Sequence, residues 1–101
     1  MILGYNELEL YANEFLCQLY LMAQGIIERR FNRYVVFKAL GKDVIFEDGV
    51  RQATDEIVQF LYLHCNFIRV IEDSEEVRLT MAGLAEAQRI CTSPPMTRSP
   101  I

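Results

Sequence analysis

The stretch that decides the fold runs Ile57-Val58-Gln59-Phe60-Leu61-Tyr62-Leu63-His64-Cys65-Asn66-Phe67-Ile68-Arg69-Val70-Ile71, then Glu72-Asp73-Ser74-Glu75-Glu76, then Val77-Arg78-Leu79-Thr80-Met81-Ala82-Gly83-Leu84. Its opening belongs to a helical period over residues 50–65. Val50, Ala53, Ile57, Phe60, Leu61 and His64 fall on one side and Gln52, Asp55, Glu56 and Gln59 on the other. The apolar run 67–71 predicts a strand, residues 72–76 a polar turn, and the alternation Val77-Arg78-Leu79 a half-buried returning strand. Thr80 is a good N-cap for a closing helix over residues 81–90, which is rich in helix formers.

Upstream, residues 47–49 read as a loop in which Asp48 can cap the next helix. Residues 31–47 support two readings. The spacing of Tyr34, Phe37 and Leu40, with Gly41 after them, suits a short helix with a glycine C′. The β-branched and aromatic residues of 34–37 and Val44-Ile45-Phe46 suit a hairpin turning through Gly41-Lys42. Residues 7–30 carry a long helical period. Leu8, Ala12, Phe15, Leu19, Met22 and Ile26 form one stripe and Leu16, Tyr20, Ala23 and Ile27 a second, with Asn6 as N-cap and Arg29 and Arg30 at the C-terminal end. Leu10, Cys17 and Leu21 lie on a third side, so the helix is apolar nearly all round and expects two covers. A second subunit is one candidate for that cover, and a later segment of the same chain is the other.

From residue 50 onward the order of elements resembles the second half of a winged-helix domain. The carriers are the helix ending near Cys65-Asn66, the strand 67–71, and the Leu79-Thr80-Met81-Ala82-Gly83 step into a last helix. Asn66 stands where a glycine often sits and is the residue type next most tolerant of a left-handed backbone. The resemblance covers about the last 40 residues by motif and the first half by helix order alone. It implies a short helix before the recognition-type helix at residues 50–65, which favours the helical reading of 34–41. The expected fold is therefore mostly α (α+β), a winged-helix domain over residues 1–91. It has a long N-terminal helix, a helix-turn-helix-like pair, a two-stranded β wing and a C-terminal helix. Residues 92–101 hold all three prolines and read as a flexible tail.

The resemblance implies that the exposed side of the recognition-type helix would enter a DNA major groove, with Arg51, Gln52, Asp55, Glu56 and Gln59 facing the bases. Charge argues against that use. The 101-residue chain has a net charge of −4, and the acids concentrate: residues 43–76 hold nine acidic and two basic side chains, a local balance of −7. Affinity for duplex depends largely on neutralising phosphates. The cations gather elsewhere, at Arg29, Arg30, Arg33, Lys38 and Lys42, where they suit phosphates or an acidic partner surface.

Little points to catalysis. The single histidine, His64, lies on the apolar side of its helix, its neighbour Cys65 cannot face it, and the five glycines form no phosphate loop. No cofactor or metal site is expected. Three widely separated cysteines, Cys17, Cys65 and Cys91, suggest neither a disulfide framework nor zinc, so a reducing cytoplasm is the default. Residues 1–6 carry no positive charge, as a signal peptide would require, and polar side chains interrupt the apolar run 10–27 as a membrane span would not. The sequence thus predicts a homodimeric, cytoplasmic, non-enzymatic regulator that binds protein, its dimer interface including Leu10, Cys17 and Leu21. A transcriptional regulator binding double-stranded DNA is the alternative.

Overall fold

The computed structural model describes residues 3–42 and 44–91; the expected tail at 92–101 lies outside them. Helix α1 (Tyr5–Ala23) starts after Gly4, not Asn6, and the Glu7 carboxylate accepts the Gly4 N–H at 3.2 Å. It also stops seven residues before Arg30. Gln24 turns left-handed (φ 53°) and Gly25 comes next at φ 83°, a conformation that glycine adopts without a Cβ penalty. Glu28 therefore lies in the next turn, and Arg29 and Arg30 in the segment leading to the first strand, rather than closing the helix. Both predicted stripes are used, since Ala12, Phe15, Leu16, Leu19 and Ala23 are all buried.

The ambiguity over residues 31–47 resolves to a helix. Strand β1 (Phe31–Asn32) leads into α2 (Arg33–Lys38), whose first N–H groups are capped by the Asn32 side-chain oxygen, 2.9 Å from the Tyr34 nitrogen. Val36 and Phe37 face the core. Residues 44–49 form turns and no strand, pinned by Phe46, whose ring meets Tyr11 edge-on at 5.5 Å and Phe37 at 6.0 Å. Helix α3 (Val50–Gln59) is preceded by Gly49 as N-cap, and the Asp48 side chain makes no cap. The predicted single helix over 50–65 then widens into a π-helical turn (Phe60–His64). One extra residue in a turn rotates the downstream side chains by about 100°. His64 is consequently exposed rather than on the apolar side.

Strands β2 (Ile68–Val70) and β3 (Glu76–Leu79) form the expected hairpin, and β1 adds a third antiparallel strand in the order β1-β3-β2. At two residues, β1 is too short to show a period. Ile68, Val77 and Leu79 turn inward, while Arg69 and Arg78 face each other on the outer side. Asn66 is left-handed (φ 57°), as its position before the strand suggested. Helix α4 (Met81–Cys91) is capped by Thr80, whose hydroxyl accepts the Gly83 N–H at 2.9 Å and donates to the Asn66 carbonyl at 2.8 Å.

The described residues thus make a mixed α+β, mostly helical fold of four helices and one antiparallel sheet, around a core drawn from every helix. One expectation is corrected outright. Cys17 of α1 is disulfide-bonded to Cys91 of α4, their Cα atoms 5.7 Å apart, because the two helices lie side by side. Cysteine usage therefore no longer argues for a reducing compartment. No helix among the described residues is long and apolar enough to cross a membrane.

Candidate functional site

The main polar constellation forms where α2 and α3 meet the turn before β3. The Arg33 N–H donates to the Glu75 carbonyl at 2.9 Å, which brings the acidic turn against the start of α2. Arg33, whose side chain is only 14% exposed, then reaches Asp55 at 3.2 Å. The Tyr34 hydroxyl donates to the same Asp55 oxygen at 2.8 Å. Arg51, one turn before Asp55, donates to the Tyr34 oxygen at 2.9 Å and to Glu75 at 3.2 Å, with its guanidinium 4.5 Å from the Tyr34 ring centroid. Two arginines, two carboxylates and a phenol thus form one closed network.

The network decides what Arg51 can do. A single guanidinium nitrogen, Nη1, serves both Tyr34 and Glu75 on a side chain that stays 68% exposed, so turning Arg51 to a base edge would mean giving up these two bonds and the contact with the Tyr34 ring. Three of the other predicted readers, Gln52, Asp55 and Glu56, are also engaged. Gln52 donates to Glu56 at 3.1 Å, and Glu56 also accepts the Leu3 N–H at 3.1 Å, tying down the segment before α1. Gln59 is exposed at the end of α3. The sequence offers Tyr34 only as a helix residue and Glu75 only as part of an acidic turn, because pairings with Arg51 across 17 and 24 residues have no local signature.

Tyr34 offers a direct probe. Burial first, and the hydrogen bond to Asp55 second, push its phenol above the ordinary value of 10.0. The native state thus holds this proton more tightly than the unfolded chain. The resulting stability is complete below about pH 10 and is lost as pH rises through the raised value. In a near-ultraviolet titration, the Tyr34 phenol is expected to ionise above the ordinary phenol value. Asp55→Asn should return it toward the ordinary range. Unchanged late ionisation in that variant would show that the carboxylate plays no part.

Four of the five cations are directed to different partners. Arg30 reaches Glu76 at 3.7 Å, Arg33 is held by Asp55, and Lys42 pairs with Glu14 at 3.6 Å beside the Tyr11 ring. The Arg29 side chain donates to that of Gln24 at 3.3 Å and has no carboxylate partner among the described residues, and Lys38 is exposed at the end of α2. Asp55, Glu75 and Glu76 of the acidic segment are thus answered within the chain, while Glu47, Asp48, Glu72 and Asp73 stay exposed.

A second feature lies on α1. Leu10 is 55% and Leu21 62% exposed. With Cys17, Leu40 and Ile90 they line a shallow groove of about 420 Å³. Cys17 is half-covered by its bond to Cys91, so α4 supplies part of the second cover and leaves Leu10 and Leu21 open.

His64 and Cys65 border a concavity of about 520 Å³ shared with Glu56, Gln59 and Phe60, but neither has a catalytic partner's geometry. His64 stacks loosely on Phe60 with ring centroids 5.7 Å apart. Burial pushes the Cys65 thiol up, with Glu86 and Glu9 adding to the effect, the opposite of what a nucleophilic cysteine needs. Among the described residues no group of three or more His, Cys, Asp or Glu side chains is placed to hold a metal ion. Comparison with known proteins finds no matching family model, no matching curated protein and no matching solved structure.

Proposed function

We propose that this chain is a small winged-helix regulatory module that acts mainly through protein–protein contacts. The closed Arg33–Tyr34–Asp55–Arg51–Glu75 network carries this reading. It engages the cation best placed to read bases through one nitrogen, while Glu47, Asp48, Glu72 and Asp73 are exposed. Such a surface repels phosphates and suits a partner with basic or hydrogen-bonding groups. The homodimer belongs to the same reading. Leu10 and Leu21, flanking the α1 groove, are large apolar side chains that a second copy would cover. The order of helix, short helix, helix, hairpin and helix supports the winged-helix assignment, with β1 in the place of a third strand beside the wing.

A DNA-binding transcriptional regulator is the second reading. Its specific support is Lys38, an exposed cation with no carboxylate partner among the described residues, together with Arg29. Fluorescence anisotropy against random duplex at low salt separates the two. The protein-binding reading expects no saturable binding up to roughly 100 μM, the weak end of non-specific DNA affinity. Micromolar binding that weakens steeply with salt would overturn it.

A further inference from the structure

Arg69 of β2 and Arg78 of β3 stand directly opposite one another on the outer face of the sheet. Across an antiparallel pair such residues lie roughly 5 Å apart at Cβ, where like charges repel. Arg30, Arg33, Lys42, Arg51 and Arg89 each find a carboxylate. Arg69 and Arg78 find none among the described residues. Arg78 makes only a long 3.4 Å hydrogen bond to the Leu79 carbonyl. Glu76, on the same face of β3, is directed to Arg30.

The two arginines open onto a concavity of about 320 Å³. Asn66 and Thr80 form one part of its wall and Ile27 and Met81 another. Thr80 is committed to Asn66 and Gly83, so it holds the rim in place. Met81 is 68% exposed although it borders this polar pocket.

The geometry points to an anion site in which Arg69 and Arg78 grip the phosphoryl group of a small phosphorylated compound while Ile27 and Met81 cover its organic part. Each guanidinium presents a planar fork that matches two oxygens of a tetrahedral oxyanion. Two facing forks, each repelled by the other, are neutralised together by one dianion. A small ligand fits better than a nucleic-acid backbone. The turn joining the two strands carries exposed Glu72, Asp73 and Glu75, which a passing polyanion would meet. This site is independent of whether α3 contacts protein or DNA.

The test titrates the full chain with phenyl phosphate and, separately, with inorganic phosphate, at an ionic strength held constant with chloride and followed by amide NMR. Saturable shifts are expected around residues 66, 69, 78 and 80–82, with phenyl phosphate the tighter ligand. Arg69→Gln and Arg78→Gln should each weaken binding about tenfold, the worth of one charge-assisted hydrogen bond. Arg89→Gln, on the far part of α4, should leave it unchanged. Both site variants relieve repulsion, so their melting temperatures without ligand should equal or exceed that of the parent, which separates lost binding from lost folding. Arginine-dependent sedimentation with phosphatidylcholine vesicles doped with phosphatidate would support the site and name a lipid headgroup as the source. Absence of saturation, or equal weakening by Arg89→Gln, would overturn the proposal. So would duplex DNA competing phenyl phosphate away in an Arg69-dependent manner, since the pair would then serve a nucleic-acid backbone.

Discussion

Replacing Gly83 by alanine should destabilise the protein by about 3 kcal/mol or more, among the larger effects a single methyl can have. A Cβ at this position would overlap the Phe67 carbonyl oxygen and come within 2.8 Å of its carbon. The obstacle is backbone, which cannot rotate away as a side chain could. Nor can α4 retreat cheaply. The Thr80 N–H donates to that same Phe67 carbonyl at 3.1 Å, and the Phe67 N–H is held by the Leu61 carbonyl at 2.9 Å. The π turn, the residue leading into β2 and the first turn of α4 are thus locked around one point. Urea unfolding checks this. Ala82→Gly, next to it on the exposed side, should cost about 1 kcal/mol from helix propensity alone. A Gly83→Ala protein within about 1 kcal/mol of the parent would show that α4 can move.

Removing the covalent link between α1 and α4 should be comparably costly. The double variant Cys17→Ala, Cys91→Ala opens a loop of 74 residues. On the chain-entropy account, closing a loop of that length contributes about 4 kcal/mol, with measured values spread over roughly 2–5 kcal/mol. Most of this acts on the unfolded chain, so the native spectrum should change little while the urea midpoint falls. The parent treated with dithiothreitol should fall to the same midpoint. Cys65→Ala should keep the parent's sensitivity to the reductant. A midpoint indifferent to both reductant and the double substitution would mean that the bond adds nothing to stability.

The part of the fold read most fully from the sequence is the part built from local signals. Thr80 as a cap, Asn66 as a left-handed residue, and the alternation of Val77, Arg78 and Leu79 each depend on near neighbours, and each sits where expected. The errors have local causes as well. The apolar period runs past Ala23 through Ile26 and Ile27, which hid the stop at Gln24-Gly25. The π turn after Gln59 broke the phase that placed His64 inward. The site was harder to read because its bonds span distance. Arg33, Arg51, Asp55 and Glu75 could each be singled out as charged, but only the packing of α2 on α3 shows that they answer one another. The same holds for Cys17 and Cys91, whose spacing has no meaning until α1 and α4 lie together.

That last bond has a mechanical consequence. It joins a residue midway along the first helix to the final residue of the last one, so almost every core element lies inside a covalent ring. Tension applied through the two ends of the described chain would pass from the first turns of α1 across the sulfur bridge to Cys91. The sheet, α2 and α3 would carry no load, and only those first turns could peel away. A protease cutting the turns at residues 44–49 would likewise leave both pieces tethered.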